Sequence, residues 1–219
     1  MLTLEFHCHT IYSKDSLTRP ADLVRGARAK GIDRLVVTDH NSIAGALAAQ
    51  KLDPQLVVIG EEIMTSQGEL LAAFVREEIP TGLAPLEVIQ RLREQGAFIS
   101  VSHPFDAHRG WELENLLAIA PLVDAVEVFN ARCIFEHDNL RAAEFAREQG
   151  LLGTVGSDAH TLPELGRAVS VIDQDFDNAE TLKSALRTAR AETQLSSPWI
   201  HLSSRFAMTV KKLGLVKRP

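Results

Sequence analysis

Histidine and carboxylate side chains occur in this chain at the ends of short apolar segments. Imidazole nitrogens and carboxylate oxygens together form the donor set that zinc, manganese and iron accept in proteins. Most of the eight histidines occupy such positions, whereas chance would scatter them over helices as well. We therefore expect a metal centre. The residues at these positions are His7, His9, Asp39, His40, Glu61, Glu62, His103, Glu127, Asp158 and His160.

The spacing of His7 and His9 suits two ligands of one metal ion. Residues two apart along a strand share a face, so both imidazoles can point into the same cavity. Asp158 and His160 repeat this spacing near the other end of the chain. A lone histidine is more often structural, and Asp158 alone could be the N-cap of a helix. The metal hypothesis therefore depends on the complete set.

The apolar segments that precede these residues have the length of β-strands. Helical patterns lie between most of them, and the helices at 20–30, 84–95 and 138–149 each stop at a glycine. This order predicts parallel strands with right-handed crossovers, in an open sheet or a barrel, whose carboxyl ends meet at one face. The strands are expected at 2–6, 35–38, 56–59, 98–101, 125–129 and 152–155, with further candidates at 69–76, in a hairpin with the third strand, and at 169–172.

Through these histidine and carboxylate residues, the chain resembles the polymerase and histidinol phosphatase (PHP) superfamily of metal-dependent phosphoesterases. The resemblance spans residues 7–160, in the order that the family has. Its blocks are His7-Cys8-His9, Tyr12-Ser13-Lys14-Asp15, Thr38-Asp39-His40, Gly60-Glu61-Glu62-Ile63, Ser102-His103-Pro104 and Gly156-Ser157-Asp158-Ala159-His160.

The resemblance implies an α/β fold, a distorted (β/α)7 barrel with up to three divalent metal ions at the C-terminal ends of the strands. Two or three ions of zinc, manganese or iron are expected. The implied ligands are His7, His9, Glu62 and Asp158 for the first ion, Glu62 and His103 for the second, and Asp15, His40 and His160 for the third.

Several neighbouring residues receive other roles. Glu127 either binds the second metal or orients a ligand, and Asp39 is expected to brace a neighbouring imidazole or to be structural. Glu61 should face away from Glu62, because adjacent residues of a strand point to opposite faces. Arg132 is the favoured catalytic arginine, since its planar fork suits phosphoryl oxygens. Residues expected to line the substrate pocket are Glu69, Arg109, Asn130 and Arg167.

Composition limits the classes of partner. Hydrophobic residues make up 45% and charged residues 24% of the 219 positions, which is typical of a globular protein. The 23 Lys+Arg against 29 Asp+Glu give a net charge of -6, which argues against a broad basic face for duplex DNA or an anionic membrane. Cys8 and Cys133 are too far apart in sequence to suggest a zinc ribbon, and neither a signal peptide nor a long apolar segment is evident. A cytoplasmic protein is expected.

Residues 1–195 are expected to form the barrel domain, and 196–219 a docked helix followed by a basic tail. The leading functional hypothesis is a phosphoesterase that acts on a phosphomonoester, a nucleotide or an oligonucleotide end through a metal-activated hydroxide. A small phosphorylated molecule is then the partner, with nucleic acid only as substrate. The alternatives are a metal-dependent amidohydrolase, which would usually use a lysine or an extra glutamate on a middle strand, and a non-catalytic metal-stabilised binding module.

Overall fold

The fold is a twisted sheet with helices packed around it. The computed structural model describes residues 1–216. In this part of the chain the strands are β1 (Leu2–Cys8), β2 (Arg34–Val37), β3 (Val57–Met64), β4 (Glu69–Ala73), β5 (Phe98–Val101), β6 (Ala125–Asn130), β7 (Leu152–Gly156), β8 (Ala168–Ile172) and β9 (Arg190–Thr193). The helices are α1 (Pro20–Ala29), α2 (Ala44–Gln50), α3 (Pro85–Gln95), α4 (Leu113–Ile119), α5 (Glu136–Gln149), α6 (Ala179–Leu186) and α7 (Ile200–Lys212).

The strand order is β7-β6-β5-β4-β3-β2-β1-β8-β9. Neighbours are parallel except around β4, which is antiparallel to both β3 and β5, and around β8, which is antiparallel to β1 and β9. The chain after β7 returns to β1, where His9 N donates to Ala159 O at 2.8 Å. Strands β1 to β7 therefore form a nearly closed barrel, which confirms the predicted fold class.

Glycine and proline set the ends of the helices as the sequence predicts. Helices α3 and α5 end at Gly96 and Gly150, which adopt left-handed conformations with φ of 73° and 67°. Helix α1 begins at a proline and stops one residue earlier than expected, at Ala29. β9 was not predicted, because its four residues are all exposed and carry no apolar alternation.

An apolar layer closes the barrel below the site. Leu4 and Phe6 of β1 pack with Phe98 of β5 and with Leu182 of α6, and the Phe6 and Phe98 rings meet edge to face at 5.6 Å. A bulge between Glu5 and Cys8 in the pairing with β2 breaks the strict alternation of β1. The side chains below the bulge fill the core, and those above it reach the site.

Helix α7 lies against the site end of the barrel through buried Ser204 and Ala207. The docked helix expected after residue 196 is therefore present, whereas Lys217 and Arg218 of the expected basic tail lie outside the described residues. The division at residue 195 stays a prediction. Within residues 1–216, every helix is too short or too polar to cross a membrane.

Candidate metal centre

Four donor atoms converge at the carboxyl ends of β1, β3 and β7. The His7 Nε2 atom lies 3.1 Å from His9 Nε2 and 3.3 Å from Glu62 Oε2. Asp158 Oδ1 lies 3.2 Å from His9 Nε2 and 3.7 Å from His7 Nε2. Tetrahedral ligands with bonds of about 2.0–2.1 Å are roughly 3.4 Å apart. The spacing of these four atoms is therefore that of ligands around one ion, and all four side chains are fully buried.

Two ligand positions have an uncommon backbone conformation. Asp158 and His103 have positive φ angles, 51° and 23°, which non-glycine residues rarely adopt. Such conformations persist where the surrounding structure imposes them, and they concentrate at functional sites. They turn both side chains into the barrel mouth, and Asp158 does not act as a helix N-cap.

Glu62 presents its two oxygens to two different groups of donors. Its Oε2 atom faces His7 and His9, whereas its Oε1 atom lies 3.2 Å from His103 Nε2 and accepts a hydrogen bond from Ser102 Oγ at 2.7 Å. Glu69 Oε2 lies 3.3 Å from the same His103 nitrogen. Glu62 thus occupies a bridging position. Glu69, expected only to line the substrate pocket, lies among the potential ligands.

A third group lies beside His9, whose ring centroid is 4.5 Å from that of His40 and 4.2 Å from that of His160. Asp15 Oδ1 is 3.3 Å from His160 Nε2, and Asp15 Oδ2 is 3.4 Å from His40 Nε2. In addition, one ring nitrogen from each of His9, His40 and His160 lies within 4.8 Å of the other two. The structure therefore brings together the residues that the family resemblance implies for a third ion.

The polar atoms at the centre of these groups have no hydrogen-bond partner among the described residues. They include Asp15 Oδ1, Glu62 Oε2 and Asp158 Oδ1, each almost completely shielded from solvent. Buried carboxylate oxygens are expensive unless they are paired. A divalent cation would satisfy all three, so the donor set fits the metal ions that the sequence predicts.

Glu127 stands behind the ligands. Its Oε1 atom accepts from His7 Nδ1 at 2.8 Å, which leaves His7 Nε2 for the cluster, and its Oε2 atom accepts from the His103 backbone N–H at 2.8 Å. Of the two roles that the sequence left open, this geometry favours orientation of a ligand. The inclusion of Glu127 among the ligands stays a prediction.

Asp39 and Glu61 lie next to ligands without reaching the cluster. Asp39 accepts from the hydroxyl groups of Thr10 and Ser13 at 2.6 Å each, and Ser13 Oγ is 3.1 Å from His9 Nδ1. Asp39 thus braces an imidazole, one of the two roles expected for it. Glu61 faces away as predicted and accepts from Ile79 N at 3.1 Å.

The cluster is held in its ionised form by mutual attraction. Burial would raise the pKa of the Asp158 carboxyl, but His7 and Arg109 hold it well below its usual value. Burial likewise opposes protonation of His7, yet Glu62, Glu127 and Asp158 raise its pKa well above the usual range. The carboxylates are thus ionised and paired with imidazoles, and a divalent cation would take the place of the imidazole proton, because metal ions bind neutral histidine.

Comparison with known proteins agrees with this geometry. Profiles of the PHP domain and of the PHP-associated family match residues 5–78 and 136–191. An uncharacterised protein of Methanocaldococcus jannaschii is 36% identical over 146 residues, which are 58% of this chain and 81% of the relative. Another from the same organism is 37% identical over 172 residues, or 76% of this chain and 69% of the relative. The chain belongs to the PHP superfamily.

Solved structures with the same fold are distant in sequence. PsfC from Pseudomonas syringae is 18% identical, with a TM-score of 0.70 over 95% of this PHP protein and 98% of its own chain. A candidate metal-dependent phosphoesterase from Bifidobacterium adolescentis is 18% identical, with a TM-score of 0.62 over 84% of this chain and 95% of its own. The lesion-specific endonuclease EndoQ of Pyrococcus furiosus is 16% identical, with a TM-score of 0.63 over 90% of this chain and 59% of its own. These likenesses establish the fold, and the family identifies a metal-dependent hydrolase.

Above the cluster, a cavity of about 480 Å³ opens to solvent. Arg109 lines it and donates to Asp158 Oδ2 at 2.8 Å and to Asp106 Oδ2 at 3.1 Å. These bonds leave three of the five guanidinium N–H donors for a ligand. Asp106 is ionised: burial would raise its pKa, but the charge of Arg109 and the hydrogen bond from the His108 backbone N–H together lower it. The prediction that Arg109 lies at the substrate pocket agrees with this position.

Arg132 also borders the cavity of the PHP protein, but its side chain is only 4% exposed. It donates to Ser204 Oγ of α7 at 2.8 Å, contacts His160 Nδ1, and lies 3.5 Å from Glu164 Oε1. A guanidinium so enclosed holds α7 and His160 in place. The choice of Arg132 as the catalytic arginine stays a prediction, although Arg109 has more N–H donors available to the cavity.

Two residues expected at the substrate do not line this cavity. Asn130 is fully buried and donates from Nδ2 to Glu127 at 3.0 Å and to Asp158 at 3.3 Å. Arg167 is a neighbour of the Lys30 ammonium. Burial lowers the pKa of Lys30, and the positive charge of Arg167 lowers it further. Both substrate assignments are corrected: Asn130 positions two carboxylates, and Arg167 lies away from the cavity.

Sequence reasoning missed the contribution of α7 to the cavity wall. His201, Ser204, Arg205 and Met208 of this helix face the opening, together with Lys14 from the loop after β1. The helix follows the last matched block by about forty residues and has no motif of its own. Its apolar helix-like stretch predicted that it docks, but not where it docks.

Proposed function

We propose that this PHP protein is a phosphoesterase that hydrolyses a phosphomonoester, a nucleotide or an oligonucleotide end. The observation that carries the proposal is the bridging position of Glu62 between two groups of buried donors, beneath a cavity that Arg109 lines. Clusters of metal ions that share a carboxylate suit phosphoryl transfer, in which charge develops on several oxygens at once.

We propose two or three ions of zinc, manganese or iron, since mixed imidazole and carboxylate donors accept all three metals. When bound, such ions lower the pKa of a coordinated water and neutralise phosphoryl oxygens. The residues that would hold them are His7, His9, Glu62 and Asp158 for one ion, Glu62, Glu69 and His103 for a second, and Asp15, His40 and His160 for a third.

The chain's own contribution is orientation and charge. Arg109 holds Asp158 with one nitrogen and keeps donors available for a phosphate oxygen in the cavity, so it can position the substrate against the cluster. Glu127 fixes the ring of His7 from behind. Asp106 is ionised, so it serves as a hydrogen-bond acceptor that steadies Arg109 rather than as the acid for the leaving group.

The cations around the opening favour a phosphate ester over an amide. Lys14, Arg109 and Arg205 line the cavity, and a neutral amide substrate would gain little from them. Among residues 1–216, no lysine is buried, in contrast to the carboxylated lysine that many amidohydrolases carry in the site. We therefore place the phosphoesterase first.

The test is release of inorganic phosphate from a panel of phosphomonoesters, nucleotides and 5′- or 3′-phosphorylated oligonucleotides, after reconstitution with each metal. Amides and lactones are assayed in parallel. We expect phosphate release that His9→Ala abolishes and that His137→Ala preserves, because His137 is 63% exposed and does not line the cavity. Hydrolysis of amides or lactones alone would favour the amidohydrolase instead. If no substrate is turned over, the non-catalytic binding module is the remaining hypothesis.

A further inference from the structure

A second cavity adjoins the one above the cluster. It has a volume of about 830 Å³ and lies between the loop after β1 and helix α7. Lys14, Arg205 and Met208 line both cavities, so the two lie side by side. Together they exceed what a small phosphomonoester needs, since ligand sites of about 300–1,000 Å³ hold complete drug-sized molecules.

The charged lining of the second cavity is entirely basic within the described residues. Its four cations are Lys14, Arg205, Lys211 and Lys212, and no carboxylate lines it. Arg205 and Lys212 are seven residues apart on α7, with Thr209 between them, so all three share one face of the helix. In a chain with a net charge of -6, this is a local concentration of positive charge.

Helix α7 is held firmly with this face towards the cavity. Ser204 accepts from Arg132 at 2.8 Å, and Lys211 donates to the backbone carbonyls of Ile11 at 2.7 Å and Ser16 at 2.6 Å. Lys211 thus fixes the helix to the loop that carries Asp15. The basic face is therefore a fixed part of the wall.

The exposed cations of this wall are not neutralised within the described chain. Lys14, Arg205 and Lys212 form no ion pair with any residue from 1 to 216. Some exposed arginines elsewhere on the surface are paired, as in Arg28 with Asp53 at 2.7 Å and Arg91 with Glu87 at 2.7 Å. Cations gathered without partners beside a catalytic cavity raise the local concentration of anions.

The lining also indicates which anion. Among the described residues it offers no aromatic ring on which a nucleobase could stack, so recognition depends on charge. Lys14 directly precedes Asp15, and both residues line the cavity above the cluster. We infer that the substrate carries a second phosphate group, bound by Lys14, Arg205 and Lys212, beside the phosphate that is hydrolysed. This inference rests on the proposed function.

The test compares thymidine 5′-monophosphate with thymidine 3′,5′-bisphosphate and with a 5′-phosphorylated trithymidylate. The measured quantity is the preference ratio, kcat/KM of each longer substrate divided by that of the monophosphate. For the wild-type protein we expect a ratio of about ten or more, decreasing as salt rises, because contacts with exposed charges are screened. In Arg205→Glu/Lys212→Glu the ratio should fall about tenfold.

The matched control is Lys51→Glu/Arg187→Glu, which makes the same change of charge at two exposed positions outside both cavities and should retain the wild-type ratio. A gain for both longer substrates supports a compact bisphosphate, and a gain for the trithymidylate alone supports a nucleic acid end. Equal rates for all three substrates, or equal ratios in the two double variants, would overturn the inference while the phosphoesterase stands.

Direct binding separates this inference from the proposed function. The full chain is titrated calorimetrically with the thymidine mono- and bisphosphate in the presence of a chelator, so that no turnover occurs. We expect the bisphosphate to bind about tenfold more tightly, with this advantage lost only in Arg205→Glu/Lys212→Glu. If no phosphoester is hydrolysed, the proposed function fails, and this titration alone still decides whether the second anion site exists.

Discussion

Replacing Glu127 with glutamine would test how the metal ligands are oriented. Glu127 Oε1 accepts from His7 Nδ1 at 2.8 Å, and Oε2 accepts from His103 N at 2.8 Å and from Asn130 Nδ2 at 3.0 Å. A glutamine has one acceptor oxygen and one NH2 group. Whichever way the amide turns, its NH2 group faces a donor, so either His7 or the His103 backbone loses its partner.

The magnitude follows from the role of this carboxylate. Groups that hydrogen-bond to ligating histidines change metal affinity by about 10- to 100-fold, or roughly 1.4–2.8 kcal/mol. Glu127 is only 1% exposed, so water cannot replace the lost hydrogen bond, and we expect the upper half of this range. The assay is competition for zinc between the protein and a fluorescent chelator of known affinity.

The matched control is Glu61→Gln on β3. Glu61 is buried like Glu127, but its Oε2 atom accepts a single hydrogen bond from Ile79 N, which a glutamine oxygen can also accept. Burial raises the pKa of Glu61 to about 8, so its carboxyl group is largely neutral at pH 7 and the substitution changes little charge. Equal zinc affinity in the Glu127→Gln and Glu61→Gln variants would refute the orienting role.

Three further predictions concern the surroundings of the cluster. Gly156→Ala should lower metal affinity and destabilise the protein by about 1–3 kcal/mol, because its Cβ would lie 2.7 Å from Glu127 Oε1. Gly153→Ala, which meets only a valine side chain at 3.0 Å or more, should cost less in chemical denaturation and leave metal affinity unchanged. Lys211→Met should weaken the most weakly held ion about tenfold in chelator competition, since Lys211 holds the loop that carries Asp15; unchanged affinity would contradict this. Removing metal with a chelator should lower the Tm, and restoring an ion at 100 times its Kd should regain about 2.7 kcal/mol; a Tm indifferent to metal would argue against a buried site.

Most of the ligand set could be predicted because strand ends are visible in the sequence. Parallel strands bring their carboxyl ends to one face, so histidines and carboxylates after apolar segments converge whatever lies between them. His7 and Glu62 lie near the carboxyl ends of β1 and β3, and His9 and Asp158 follow β1 and β7. Their convergence needs only the strand order and the fold class.

Glu69 escaped the same argument because β4 runs in the opposite direction. An antiparallel strand begins at the face where its neighbours end, and Glu69 is the first residue of β4. The rule that ligands follow strands therefore overlooks it. A similar limit applies to Glu127. The pairing of β6 with β7 has a register irregularity directly after this residue, so strand alternation does not predict which way its side chain points.

The wall formed by α7 could not be predicted for a different reason. Its contacts with the site are all between residues distant in sequence, such as Arg132 with Ser204 and Lys211 with Ser16. Amphipathicity predicts that a helix packs against something, but the partner depends on tertiary structure. The basic face of α7 becomes part of a cavity wall only in the folded protein, where Lys14 from the loop after β1 lines the same cavity.

The most direct test of the account is anomalous diffraction from crystals of the full chain loaded with manganese or zinc, recorded on both sides of the metal's absorption edge. The account predicts a strong peak bonded at about 2.0–2.2 Å to His7 Nε2, His9 Nε2, Glu62 Oε2 and Asp158 Oδ1. A peak elsewhere on the protein, with these four atoms free of metal in fully loaded crystals, would contradict it.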